Sequence, residues 1–342
     1  MSALIGGRAK LVDVARAAGC SPATVSRVLN NNPTVGKSER DRVLKAAAEL
    51  GYVPNGSARA LRSTKSRLVG AIIPTLDHAI YAIMVDGLQA RLAERGVSVI
   101  ISTSAYDLDL EYRQAKLLIE RGAESLILVG AEHNPETLDL LNRENISYVF
   151  TYTCTPDAHG AAIGFDNRKA GATAARYLHS LGHKNFGMIA GVTSGNDRAR
   201  DRREGFLSGL KELGFDIANV PVIEAPYDVS GGKLAMQTLL ASSPMPTAIF
   251  CGSDILAAGA LKLCQSRNVG VPEDVSIVGF DNLEIATLTT PEITTLEVPA
   301  RGMGQLAGDY ALASPADRKR LRERELDIQL IVRGSTGAAN RV

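Results

Sequence analysis

The chain has 342 residues, of which 45% are hydrophobic, 22% charged and 5% aromatic. That length and apolar content can bury more than one core, and the lack of any run of about 18 apolar residues excludes a membrane-spanning helix. The net charge of +1 hides a division: residues 1–67 hold twelve Lys/Arg against four Asp/Glu, a charge of +8, leaving −7 for residues 68–342, so a head able to bind a polyanion is joined to a body that a polyanion would repel.

Met1 to Lys10 is too short and too Gly-rich for a secretory signal, which predicts a cytoplasmic protein. Val14, Ala15 and Ala18 then form one apolar face at helical spacing, and Val25, Val28 and Leu29 form a second. Between them Gly19 suits the left-handed residue that ends a helix, Ser21 offers an N-cap hydroxyl, and Pro22 stands where a missing N–H costs nothing. Two short helices about a Gly-centred turn are the layout of a helix-turn-helix, whose second helix enters a DNA major groove. Lys37 to Leu50 reads as a third helix with Ser38 as N-cap, Asp41 in a capping box, Val43, Leu44, Ala47 and Leu50 as the buried stripe, and Gly51 as its stop. Gly56 to Arg62 is a helix-compatible segment too short to be stable by itself; DNA beside Arg59 and Arg62 is the surface that would order it.

From Leu68 the pattern changes. Residues 68–73, 97–102, 125–129 and 148–150 read as strands, separated by helical patterns around 84–95, 111–121 and 135–142; the rhythm restarts with strands at 185–189, 222–224, 248–250 and 275–279. This predicts two doubly wound α/β units in series, each with a mostly parallel sheet, and a ligand site in the cleft between them, beyond the carboxyl ends of the strands. Cys20, Cys154, Cys251 and Cys264 lack metal-ligand spacing and read as reduced, buried small hydrophobes. Nor do His78, His133, His159, His179 and His183 show a paired metal spacing; His179 and His183 read as surface residues at a helix end. No metal or cofactor is expected. An α/β enzyme with a fused DNA head is the competing class, but the chain has no Gly-x-Gly-x-x-Gly after a strand, no phosphate-binding Gly-Lys-Ser/Thr loop and no Gly-x-Ser-x-Gly elbow. An exported solute-binding protein is disfavoured because a DNA head replaces the signal peptide.

Asp13-Val-Ala15, Thr24-Val-Ser-Arg-Val-Leu-Asn30, Gly51-Tyr-Val-Pro-Asn55 and Ala58 to Leu61 together resemble the head and hinge of the lactose-repressor (LacI/GalR) family. Further matches follow in the family's order at Gly164-Phe-Asp-Asn167, Arg202 to Phe206, Pro246 to Asp254, Val271 to Asn282 and Val332 to Ser335, so the resemblance spans nearly the whole chain. It implies an α/β fold with a small all-α helix-turn-helix head and two doubly wound, parallel-sheet lobes like those of periplasmic binding proteins. The corresponding division is a head over residues 9–54, a hinge over 55–67, an N-terminal lobe over 68–152 plus 299–325, and a C-terminal lobe over 153–298 plus 326–337. The chain would cross between lobes near Tyr152, near Val298 and before Leu326.

Residue by residue, the resemblance places Pro22, Ala23 and Arg27 against base edges and Thr24 and Ser26 against phosphates, with Ser21 and Asn30 flanking them. A guanidinium can pair with guanine O6 and N7, which makes Arg27 the specific reader, whereas Pro22 and Ala23 offer apolar contact. In the hinge, Ala58 and Leu61 would meet the minor groove, with Leu61 as a wedge that partly unstacks a base step, and Asn55 and Arg59 would be further DNA-binding residues. For the cleft, the resemblance nominates Ile80, Tyr81, Tyr227, Arg202 and Asp281, the last two as donor fork and acceptor for effector hydroxyls. Ser253 can complete the set, as can Asp254, which serves equally as a helix cap. Tyr152 and Cys154 stand where many relatives place a hydroxyl-binding acid. The four arginines between Arg198 and Arg203 could accept a carboxylate or phosphate; the favoured reading keeps Arg202 alone inward and leaves the rest as a solvated face with Asp197, Asp201 and Glu204.

The implied function is a ligand-responsive transcription regulator that binds a pseudo-palindromic double-stranded DNA operator as a homodimer, without a membrane partner. The leading logic is a repressor released when a small molecule, a sugar or sugar acid, enters the cleft; a corepressor logic stays open, because only differential affinity decides the sign. No leucine heptad helix follows Ser335, which favours a dimer.

Overall fold

The computed structural model describes residues 9–29, 32–53, 66–155 and 160–339. The chain divides into two compact units between Ser66 and Arg67.

The head contains α1 (Leu11–Ala18), α2 (Pro22–Leu29) and α3 (Lys37–Glu49). Gly19 adopts φ 64°, a left-handed value that lets the chain turn out of α1 without a Cβ clash. The Thr24 N–H then donates to Ser21 Oγ at 3.1 Å, closing the first turn of α2. Val14, Ala15, Val25, Val28, Val43 and Ala46 meet in one small core. α3 differs from expectation at two points. Its N-cap is Gly36, with no side-chain cap, because the helix starts at Lys37 and Ser38 already lies inside the first turn, so the box with Asp41 does not form. Leu44 is 47% exposed; a 3.6-residue repeat carries it off the face shared by Val43, Ala46 and Ala47.

The second unit opens with β1 (Leu68–Ile73), α4 (Ala79–Ala93), β2 (Ser98–Thr103), α5 (Leu108–Glu120), β3 (Ser125–Val129), α6 (Pro135–Arg143), β4 (Ser147–Thr151) and β5 (Ala161–Gly164). There follow α7 (Asn167–Ser180), β6 (Phe186–Gly191), α8 (Asp197–Glu212), β7 (Val222–Ala225), α9 (Val229–Leu240), β8 (Ala248–Cys251), α10 (Asp254–Ser266) and β9 (Ser276–Asp281). The chain ends with α11 (Ile285–Leu288), β10 (Thr294–Glu297), α12 (Ala300–Leu312), α13 (Pro315–Arg318), β11 (Glu323–Glu325) and β12 (Gln329–Ile331).

Two six-stranded sheets result, in the orders β11-β5-β4-β3-β1-β2 and β12-β10-β9-β8-β6-β7. Among the described residues every strand pairing is parallel except β10 with β12. Parallel strands joined by helices are covered on both faces and read as near-continuous apolar runs. In the second lobe Met188, Phe250 and Val278 pack to one side, against Phe206 of α8. Their neighbours Ile189, Ile249 and Ile277 pack to the other, against Met236 and Leu256. β5 still belongs to the first sheet, so the first passage between sheets follows Gly164 rather than Tyr152. The other two passages lie between β10 and α12, which packs on α4 and β4, and between β11 and β12. His183 is not a surface residue: the chain after Ser335 folds over it, and its ring nitrogens stand 3.0 Å from Thr247 Oγ1 and Ser276 Oγ.

Candidate functional site

A cavity of about 410 Å³ opens between the two lobes, beyond the carboxyl ends of the strands. The first lobe contributes His78, Ile80 and Tyr81 from the turn and first residues after β1, Tyr106 from the loop after β2, and Tyr152 from the end of β4. The second lobe contributes Asn196, Arg198 and Arg202 around the start of α8, Tyr227 after β7, Ser253 after β8, and Asp281 at the end of β9. Ile255, Phe280, Leu283, Ile285 and Leu288 supply apolar wall. Of the residues nominated from sequence, Ile80, Tyr81, Tyr152, Arg202, Tyr227, Ser253 and Asp281 are brought together, and Asp254 is not.

Arg202, 7% exposed, is held from several sides. Its Nε and Nη2 donate to Asn167 Oδ1 at 3.3 and 3.0 Å, its Nη1 donates to the Gly252 carbonyl at 2.5 Å, and its guanidinium lies 3.6 Å from the Phe280 ring centroid. The two guanidinium N–H groups left over are held in a set direction, which preorganises them for a ligand. Asp281 is presented differently. Its φ of 106° is costly for a residue with a Cβ, and the turn is pinned by its neighbour Asn282, whose side chain donates to Glu297 Oε1 at 3.1 Å and accepts from Arg333 Nη2 at 2.6 Å. The Asp281 carboxylate accepts no hydrogen bond from the described residues. Burial pushes its carboxyl well above the usual range, with Arg202 pulling it back and Asp254 adding to the rise.

Asp254 supports this turn from behind. Fully buried, it accepts from Thr295 Oγ1 at 2.6 Å and from the Leu283 N–H at 2.7 Å, and Thr295 Oγ1 in turn accepts the Asn282 N–H at 3.3 Å. Burial raises its carboxyl to about 7 against those hydrogen bonds. The cap of α10 is Ser253, whose Oγ accepts the Leu256 N–H at 3.4 Å. Tyr152 is a wall rather than a donor: its hydroxyl donates to the Ile80 carbonyl at 2.8 Å, and its ring meets Tyr81 edge-on at 5.3 Å. Tyr227 lies over the end of β6, where a Cβ on Gly191 would fall 2.1 Å from its ring. Burial raises the phenols of Tyr106, Tyr152 and Tyr227 and lowers His78, so the wall offers neutral hydroxyls and a neutral imidazole near pH 7.

The arginine-rich start of α8 departs from the solvated-face reading. Asp197 and Arg198 are 6% and 5% exposed, and Arg198 enters the cavity one helical turn before Arg202. Spacing of four residues on a helix was the signal available for this. Asp197 Oδ2 accepts the Ala131 N–H at 2.7 Å, Arg198 Nη1 donates to the Val129 carbonyl at 3.1 Å, and Arg200 pairs with Glu132 at 2.9 Å. These contacts tie the second lobe to the end of β3 in the first. His133, stacked on Phe150 and placed 2.8 Å from Glu111 Oε1, braces the same loop. Arg203, Asp201 and Glu204 do face outward, in surface pairs with Glu224 and Arg168.

In the head, Ser21, Pro22, Ala23 and Arg27 are exposed on one side of α2, Thr24 and Ser26 are half-buried at its edges, and Val25 and Val28 are buried behind it. That is the presentation a groove-reading helix requires. Asn30, Asn55, Ala58, Arg59 and Leu61 lie outside the described residues.

Residues 10–55 match the sequence profile described as bacterial regulatory proteins, lacI family, and residues 175–336 match the periplasmic binding protein-like domain. The HTH-type transcriptional repressor CytR of Escherichia coli is 31% identical over 332 residues, which cover 96% of this chain and 97% of the repressor. The chain belongs to the lacI family of bacterial regulatory proteins. A LacI-family regulator from Silicibacter pomeroyi superposes with a TM-score of 0.88 at 26% identity, covering 96% of this chain and 99% of that one. The lac repressor dimer bound to operator and the anti-inducer ONPF gives a TM-score of 0.85 at 25% identity, covering 97% and 100%. As a LacI-family member the chain is a ligand-responsive DNA-binding transcription regulator, with the helix-turn-helix as its DNA reader and the two-lobed core as its effector domain. No helix among the described residues is long and apolar enough to cross a membrane.

Proposed function

We propose that the protein is a cytoplasmic, non-enzymatic repressor that binds a pseudo-palindromic operator as a homodimer and releases it when a small polyhydroxyl compound fills the inter-lobe cleft. The observation that carries this reading is that one cavity is lined by a preorganised Arg202 and by an Asp281 carboxyl that accepts no hydrogen bond from the described residues. A fork of donors beside an open acceptor suits adjacent hydroxyls, and Tyr227 offers a ring face to the same molecule. Arg27 reads bases from the exposed side of α2, and residues 55–67 link the head to the core. Asp254 holds the Asp281 turn and does not touch ligand.

The test has two stages. Thermal unfolding of the full chain against monosaccharides, sugar acids, sugar phosphates and nucleosides finds the ligand, since saturation at about a hundred times Kd adds about 2.7 kcal/mol. Operator fragments selected from random DNA are then titrated with and without it. The reading predicts weaker operator binding with the ligand; unchanged or tighter binding contradicts release.

A further inference from the structure

Among the described residues, Arg198 is the buried cation of the cleft wall with an unused edge. Its Nη1 is occupied twice, by the Val129 carbonyl across the lobes at 3.1 Å and by Asp197 Oδ1 at 2.6 Å. Its Nε and Nη2 have no partner among the described residues, yet they are not sealed against protein either. With the side chain only 6% exposed and part of the cavity wall, that edge opens into the cavity. A buried donor edge without an acceptor is costly, and a ligand that fills it gains in proportion.

The shape and charge of the surroundings select among anions. Nε and Nη2 form a planar fork that matches the two oxygens of a carboxylate. The partner Asp197, the first residue of α8, pairs through Oδ1 with Nη1 and accepts the Ala131 N–H through Oδ2, so it leaves the Nε–Nη2 edge unoccupied. Arg202 is bound to Asn167 and Gly252 and lines the same cavity as Asp281, while Asp77 and Glu284 are exposed lining residues. A carboxylate brings one negative charge to the Nε–Nη2 fork, whereas a phosphate dianion brings two into a cavity whose lining already carries the exposed acids Asp77 and Glu284. From these observations we infer that Arg198 is a specificity-determining residue of the cleft, and that the effector is a polyhydroxylated carboxylic acid. Its carboxylate sits on the Nε–Nη2 edge and a hydroxyl donates to Asp281. The inference rests on the cleft reading above and narrows its ligand class.

The experiment uses calorimetric titration and thermal unfolding of the full chain with D-glucuronate, D-galacturonate and D-gluconate, each beside the neutral sugar and the hexose phosphate of the same configuration. At least one acid is expected to bind, with its neutral and phosphorylated counterparts about a hundredfold weaker, and Arg198→Gln is expected to lose about a hundredfold in affinity for that acid. Arg198→Gln leaves Asp197 buried without its partner, so Arg198→Lys serves beside it. The lysine keeps a charge for Asp197 but lacks the fork, and about a tenfold loss is expected with the unliganded melting temperature preserved. Full retention of acid binding in either variant overturns the inference, as does silence from all three acids. A neutral sugar or phosphate that binds as well as the acid also overturns it, while leaving the cleft standing as the effector site. The operator titration decides that broader reading separately.

Discussion

Arg202 and Asp281 carry opposite structural obligations. Arg202 is tied to Asn167, Gly252 and Phe280, so its removal strands two buried acceptors and a ring face; Arg202→Ala is expected to cost about 3 kcal/mol of stability as well as the effector response, measurable by urea unfolding. The Asp281 carboxylate holds nothing in the described residues, so Asp281→Asn is expected to lose the response with the unfolding midpoint unchanged. A large drop in that midpoint would make Asp281 a folding residue instead. Asp254 carries a pH signature. Its carboxyl lies near 7 when folded against an ordinary 3.8, so folding takes up a proton between those values. The contribution of this group is fully present below about pH 4 and is lost as pH rises through 7. Replacing it by Asn is expected to flatten the fall in stability over that window, checked by denaturant midpoints at successive pH values. Most of these residues were legible because each lies in a short string beside a strand end. Arg198 is legible only as the residue one helical turn before Arg202; its burial comes from the other lobe, at Val129 and Ala131, which the sequence around it does not reveal. Tyr106 escaped for a similar reason, reaching the cavity through two successive left-handed residues, Ala105 and Tyr106.

At the scale of elements, α1 and α2 were readable in detail since a left-handed Gly, a capping Ser and an N1 Pro act within a few residues of themselves. Ser21→Ala is expected to destabilise the head by about 1 kcal/mol, seen in its thermal unfolding. Arg27→Ala is expected to relax base preference at one position of each half-site while leaving the fold intact, measured by repeating the operator selection. An unaltered preference would remove α2 from the role of reader. The start of α3 was harder to place, as Gly36 and Ser38 compete as cap and the choice depends on where the preceding turn at Asn32 and Thr34 delivers the chain. Short edge strands were also missed. β11 and β12 have three residues each, are fixed by pairing with distant partners, and carry little apolar signal of their own.

The whole molecule joins a basic head to an acidic body, and that asymmetry governs how it meets DNA. Operator affinity should fall steeply with salt, and Arg62→Ala should reduce the log–log slope by about 0.9 for each phosphate left unneutralised while weakening all sequences alike. Between the lobes, the contacts from Asp197, Arg198 and Arg200 to residues 129–132 run directly beside the cavity, so a ligand on the cavity wall bears on the arrangement of the lobes. The division into two sheets was legible from the repeating strand–helix rhythm; the late passage after β5 was not, because Ala161–Gly164 is a four-residue strand with Ile163 as its one large apolar residue and no helix pattern before it. The central claim is that occupancy of this cleft controls DNA binding. Its most direct test is fluorescence anisotropy of a labelled operator titrated with the wild-type chain and with Asp281→Asn, each with and without the ligand found by thermal unfolding. The account predicts that ligand weakens operator binding at least about tenfold for the wild type and leaves the variant unchanged. An operator affinity indifferent to bound ligand, or a variant that responds as the wild type does, would contradict it.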